Sequence, residues 1–154
     1  MMNIVESTEA HVIEMCNTGI READNRECLR MSGGDAQCAL YEAFRVSKDR
    51  RVTVLRNGKA IAMFGLKPSL LGEQAIPWFL AVEGIEKYWY SIAKYSRKFL
   101  RIMLAEYASL ANYVDAENVE SIKWLKWLGF KVESSPTYVR GYPFFKFYIE
   151  REDT

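Results

Sequence analysis

Histidine is almost absent from this 154-residue chain, with His11 its only representative. A metal centre or a Ser/His/Asp triad needs clustered ligands or a positioned imidazole, so neither is expected. Cysteine is scarce as well, and Cys16, Cys28 and Cys38 form no Cys-x-x-Cys pair. An odd, scattered set excludes a disulfide framework and a zinc site, and reads as reduced thiols in a cytosolic protein. No apolar run approaches the ~20 residues of a membrane span. Residues 1–9 hold no basic stretch followed by an apolar one, so no secretory signal is expected. Charge of one sign is also lacking. Lys and Arg number 21 against 20 Asp and Glu, a balance unsuited to binding a polyanion by bulk charge, so nucleic acid is not expected as a partner. Gly33-Gly34 follows no strand and precedes Asp35, which makes it a helix stop before a cap and not a nucleotide loop.

What is present is core material. Hydrophobic residues make up 49% and aromatic ones 14% of the chain, enough for one packed domain over residues 1–154. Along the sequence, Met2 to Glu6 leans toward a strand. Ser7 and Thr8 can cap a helix with Val12, Ile13 and Cys16 as its apolar positions. A second helix is expected over about Arg21 to Arg30. Asp35 caps a third, with Ala39, Leu40, Ala43 and Phe44 on one side. Asn57-Gly58 between Arg51–Arg56 and Lys59–Leu66 predicts a tight hairpin, since both turn residues tolerate positive φ. Pro68 and Gly72 punctuate a loop, and Ala75 to Val82 reads as a buried strand. A long helix, Ser91 to Tyr107, should place Ile92, Tyr95, Phe99, Ile102 and Met103 inward, and Lys94, Arg97, Lys98 and Arg101 outward. A strand over Leu110 to Val114 follows, then a helix from its cap Asn118 to Leu128, ended by Gly129. Strands at Lys131 to Glu133 and Phe144 to Glu150 close the chain. In the last of these, alternation separates Phe145 and Phe147 from Phe144, Lys146 and Tyr148. A mixed sheet flanked by helices is the natural packing of this order.

The run Asn118-Val119-Glu120-Ser121-Ile122-Lys123-Trp124-Leu125-Lys126-Trp127-Leu128-Gly129-Phe130 has a small residue three after the Asn and Gly-Phe at its end. It resembles the segment of GNAT acyltransferases in which a helix packs beside the acyl-CoA arm. The resemblance implies a GNAT-like α/β fold, with Val82, Asn118 and Ser121 beside any acyl-CoA. Arg21-Glu22-Ala23-Asp24, Met63-Phe64-Gly65, Pro77-Trp78, Ser96-Arg97, Asn112-Tyr113-Val114-Asp115-Ala116 and Pro143-Phe144 occur in that order. Together they resemble a family of small tailed-phage proteins with a GNAT-like fold, similar to the internal virion protein of short-tailed coliphages. That resemblance implies a structural or assembly protein, found in the host cytoplasm and then in the virion, whose partners are other virion proteins.

The catalytic equipment of such a fold is incomplete. GNAT enzymes hold the CoA pyrophosphate on a glycine-rich turn, where amides converge at a helix N-terminus. The matching stretch, Glu83 to Lys94, has a single glycine, several bulky aromatics and the carboxylates Glu83 and Glu86. The general acid of many GNAT enzymes is a Tyr seven residues after the motif Asn. Leu125 stands there and has no proton to give. Tyr113, Tyr138 and Tyr142 are the candidate substitutes, and Glu83 is the candidate base toward an amine. Two readings stand. In the first, a phage structural protein on a GNAT scaffold needs no cofactor, and Tyr88, Trp89, Tyr90, Lys94, Arg97, Lys98 and Arg101 are interface candidates. In the second, an N-acetyltransferase with an atypical loop binds acetyl-CoA and uses Glu83 and Asn118.

Overall fold

Asn57 and Gly58 sit at φ 50° and 79°, the positive angles that a two-residue turn between right-twisted strands requires. They join β2 (Arg51–Arg56) to β3 (Lys59–Pro68), with a register shift at Val54/Leu55. β1 (Met2–Glu6) pairs antiparallel with β2. The computed structural model describes residues 1–69 and 72–153, so Leu70 and Leu71 of the loop expected between Pro68 and Gly72 lie outside the described residues. The chain forms two compact units.

The first unit comprises Met1–Lys67 and Pro77–Trp89. Its strands run β1-β2-β3-β4, where β4 is Gln74–Ala81. β3 is buried from Ala60 through Leu66, and alternating side chains point to opposite faces, so both of its faces are covered. Gly65 fills a place where nothing larger fits, because a Cβ there would overlap the Arg50 carbonyl oxygen and crowd Trp78. Trp78 in turn donates its indole N–H to Ser47 at 2.7 Å.

Three helices complete this unit: α1 (Glu9–Thr18), α2 (Glu22–Ser32) and α3 (Ala36–Ser47). Thr8 caps α1, and His11 completes a capping box, its Nδ1 accepting from the Thr8 amide at 3.1 Å. The lone histidine is therefore a cap. In α1 the buried side chains are Val12 and Met15, while Ile13 is exposed, which corrects the expected apolar trio. At 100° per residue, Ile13 stands about a quarter turn from Val12 and turns away. Asp35 caps α3 as expected, accepting from the Cys38 amide at 2.8 Å. Cys16, Cys28 and Cys38 are free thiols, and burial pushes the Cys28 thiol up to about 12.

The second unit comprises Pro68–Ile76 and Tyr90–Thr154. Here the first residues of β4 pair in parallel with β5 (Ser109–Asp115), as Gln74↔Ser109 and Ala75↔Leu110. β5 pairs antiparallel with β8 (Tyr142–Glu150), and β8 with β6 (Lys131–Val132). A mixed sheet results. The strand β7 (Thr137–Val139), which the sequence does not announce, hairpins onto β8 through Arg140-Gly141 at φ 52° and 87°. Arginine is an uncommon residue at positive φ, so the turn carries no Asn-Gly signature. Phe144 and Phe147 of β8 are both buried. They stand on opposite faces of the strand, as the alternation requires.

The helices here are α4 (Trp89–Glu106), whose first residue belongs to the first unit, and α5 (Val119–Leu128). α4 buries Ile92, Ala93, Ser96, Leu100, Met103 and Leu104. Ile102 is 60% exposed, contrary to the inward position expected for it. It lies a quarter turn off the line through Ile92 and Met103, and small Ser96 takes an inward place in that stripe. α5 ends at Gly129 in the left-handed region, and Phe130 behind it packs edge-to-face on Phe147 at 5.1 Å.

Candidate functional site

β4 delivers the chain into the turn that begins at Glu83, the stretch in which the sequence resemblance expects a pyrophosphate-binding turn. Val82 is buried, its amide donating to the Ile61 carbonyl at 3.0 Å. Glu83 is not an idle carboxylate at a strand end. Its Oε1 accepts from the Glu22 amide at 2.7 Å, and its own amide donates to the Gly19 carbonyl at 3.1 Å. Glu22 opens α2, where amides lack intrahelical partners, so Glu83 acts as a cap supplied from distant sequence.

Gly84 then turns the chain at φ 86° into a 3₁₀ turn over Ile85–Tyr88. The Ile85 amide donates to the Val82 carbonyl and the Lys87 amide to the Gly84 carbonyl, each at 3.3 Å. These two amides satisfy their own backbone and do not converge on an external anion. Ile85 is buried, whereas Glu86 and Lys87 are exposed.

Two of the turn's aromatics are anchored within the first unit. The Arg56 guanidinium lies 4.4 Å from the centroid of the Tyr88 ring. Trp89 packs on Phe79 at 5.8 Å and carries Arg21 over its ring at 5.4 Å. Arg21 is only 4% exposed and pairs with Asp24 at 2.5 Å. Asp24, 2% exposed, also accepts from the Ala81 amide at 3.0 Å. Burial is the largest influence on Asp24 and pushes its carboxyl above the usual range, with the Arg21 guanidinium and the Ala81 amide pulling partly back. Nothing in the sequence pattern gives Arg21 and Asp24 this role. Their spacing of three at a helix start is the one local signal.

In the second unit, Asn118 occupies the N-cap position of α5 and is buried, but its side chain makes no capping bond. That corrects the expected side-chain cap. The entry is held instead by backbone, the Asn118 amide donating to the Asp115 carbonyl at 2.9 Å. The Asp115 side chain accepts from the Glu117 amide, also at 2.9 Å. Ser121 is half-buried, and Leu125 is a buried apolar position with no proton to donate. Of the candidate substitutes for a general acid, Tyr113 is half-buried and Tyr138 and Tyr142 are exposed.

The remaining interface candidates share one face of α4. Lys94, Arg97, Lys98 and Arg101 are all exposed, and Tyr90 is 74% exposed. Lys94 lies 5.4 Å from the Tyr90 ring. Arg97 stacks 3.6 Å over Trp127 of α5 and donates to the Trp127 carbonyl at 3.0 Å. The sequence does not announce Trp127 as an interface residue, because helical period does not show which helix its ring meets. The sequence candidates thus divide. Val82, Glu83, Tyr88 and Trp89 belong to the first unit, and Tyr90, Lys94, Arg97, Lys98, Arg101, Asn118 and Ser121 to the second.

Elsewhere, an open groove beside α1 is lined by Ala10, Ile13, Glu14, Asn17, Thr18 and Lys59. Its one carboxylate, Glu14, accepts from the Ala60 amide at 3.0 Å. Among the described residues no His, Cys, Asp or Glu are grouped as a metal ion would require, and no helix is long and apolar enough to cross a membrane.

No protein-family model and no curated protein matches the sequence. Solved structures do match. An aminoglycoside acetyltransferase in complex with coenzyme A is similar over 99% of this chain and 96% of its own, at 12% identity and a TM-score of 0.71. The spermidine N-acetyltransferase of Vibrio cholerae, in complex with CoA and spermine, is similar over the same shares at 13% identity and a TM-score of 0.68. A GNAT-family acetyltransferase of Streptococcus pneumoniae covers 97% of this chain and 99% of its own, at 11% identity and a TM-score of 0.64. The fold is that of the GNAT acetyltransferases. At such identities the likeness concerns the scaffold and leaves the chemistry to be argued from the site.

Proposed function

We propose that this protein uses the GNAT scaffold without acyl transfer, as a structural or assembly protein of a tailed-phage particle. One observation carries the non-catalytic half of this reading: the turn after β4 spends its groups on the protein itself. Glu83 is engaged by the Glu22 amide, and the Ile85 and Lys87 amides close on their own backbone. A diphosphate there would meet the exposed carboxylates of Glu83 and Glu86 in place of convergent amides. Leu125, buried and apolar, stands at the position where many GNAT enzymes carry a Tyr as general acid. The phage setting is supported by the ordered pieces from Arg21 to Phe144 that resemble the tailed-phage family.

A second reading, an acyl-CoA-dependent N-acetyltransferase acting on a protein or small amine, is favoured by α5 with its Gly129 cap and buried Phe130. It also accords with the similar spermidine N-acetyltransferase and aminoglycoside acetyltransferase, both in complex with CoA. A thermal-shift titration with acetyl-CoA separates the two. A ligand at 100 times its dissociation constant stabilises by about 2.7 kcal/mol, well within the range of a melting curve. We expect no shift at millimolar acetyl-CoA, and expect the protein in purified virions by mass spectrometry. A dose-dependent upward shift would overturn the non-catalytic reading, and absence from virions would overturn the phage setting.

A further inference from the structure

The outer face of α4, continued onto α5, is built at its own expense. Lys94, Arg97, Lys98 and Arg101 recur at helical spacing, so Lys94–Lys98 and Arg97–Arg101 are like-charged pairs four residues apart, an arrangement that disfavours the isolated helix. The Arg97 guanidinium, 3.6 Å from the centroid of the Trp127 ring, joins α4 to α5, and α5 carries two further cations, Lys123 and Lys126. All six cations are exposed. Among the described residues none of the six forms a salt bridge. Against these six cations the sequences of α4 and α5 hold only two carboxylates, Glu106 and Glu120, so charge is segregated here in a chain that is nearly neutral.

Large apolar groups stand in the same surface. Tyr90 is 74%, Ile102 60% and Trp127 44% exposed. Arg97 is held by its stack and by its bond to the Trp127 carbonyl, so one edge of the guanidinium is fixed while the rest remains on the surface. Trp, Tyr and Arg are the residues that carry most binding energy in protein interfaces. A phosphate backbone would use the cations but has no need of Ile102, at the flank of the face opposite Arg97.

We infer that this α4/α5 face docks an acidic, amphipathic protein segment, whose carboxylates meet Lys94, Arg97, Lys98, Arg101, Lys123 and Lys126 and whose apolar side chains cover Ile102, Tyr90 and Trp127. The partner rests on the reading of the chain as an assembly protein, because that reading makes the occupant a protein. Pairing relieves the like-charge repulsion within α4 and supplies electrostatic steering. Docking should weaken as salt rises from about 50 to 300 mM, since exposed charges are screened beyond a Debye length.

The test uses the full chain and a fluorescently labelled synthetic peptide of Glu and Leu at helical spacing, followed by anisotropy, with a labelled oligothymidylate as the competing class. The peptide is expected to bind saturably and more tightly than the oligothymidylate. Lys98→Glu with Arg101→Glu should weaken it by about tenfold or more, because like charges are then juxtaposed across the contact. Trp127→Ala should weaken it too, whereas Lys59→Glu on β3 should leave it unchanged. Circular dichroism of each variant confirms that it is folded. An absence of peptide binding, unchanged binding by the folded double variant, or tighter binding of the oligothymidylate overturns the inference. The outcomes remain separable from those of the acetyl-CoA titration. A ligand shift there removes the assembly reading, while failure of the peptide alone removes only this docking face.

Discussion

Arg21 and Arg97 each lie over a tryptophan ring, and their surroundings could hardly differ more. Arg21 stacks on Trp89 with its head group buried, paired with Asp24, which itself accepts from the Ala81 amide. Arg97 stacks on Trp127 in the open, with no carboxylate partner among the described residues. The same pair of side chains thus does two kinds of work. A buried guanidinium must be neutralised where it lies, so Arg21 fastens the start of α2 to the end of β4. An exposed one is stabilised by water and can keep its remaining donors for a partner.

The largest effect expected from breaking this contrast comes from Asp24→Ala. It strips Arg21 of its carboxylate in a buried place and should cost about 3–5 kcal/mol, read from urea unfolding. The pH dependence sharpens the point. The folded-state value of Asp24 lies above its ordinary 3.8, so on unfolding the carboxyl releases a proton through the window between the two values. Its contribution is therefore present in full below 3.8 and falls as pH rises through the raised folded-state value. The stability gap between the wild type and Asp24→Ala should accordingly narrow as pH rises through that window. A gap that widens would reverse the assignment. Next in size is Glu83→Ala, which leaves the first amide of α2 without its acceptor and should cost about 1 kcal/mol, the usual worth of a helix cap. Smallest is Arg97→Ala. Loss of an exposed cation–π stack should lower stability by only about 0.5–1 kcal/mol, and a larger loss on a melting curve would mean that Arg97 is as structural as Arg21.

The local rules explain which parts of this were legible beforehand. The Asn57-Gly58 hairpin, the Asp35 cap and the Gly129 stop depend on neighbours a few residues away, and each is where those neighbours require it. The outward basic stripe of α4 follows from helical period alone. Period is a coarser guide at the margins. Ile13 and Ile102 are apolar yet exposed, because an apolar side chain a quarter turn off the buried line need not be covered. The β7–β8 hairpin turns on Arg140, a residue with no turn preference to display. The site resisted most. Glu22 and Glu83 are 61 positions apart in the chain, and no window of sequence joins a carboxylate to an amide over that distance. Leu125 is legible in the sequence as an apolar side chain, whereas the bonds of the Ile85 and Lys87 amides to the Val82 and Gly84 carbonyls, in the turn after β4, are not.

Glu83 has one further consequence. Because its carboxylate closes the open end of α2, any ligand that seeks this oxygen, or pushes the turn aside, must first unclasp a helix. Occupancy of the turn and fraying of α2 thus fall on the same side of one equilibrium, and whatever binds there gives up binding free energy equal to the stability of that clasp. The molecule would announce such a visitor by faster amide exchange at Glu22, in a segment that lies far away along the chain.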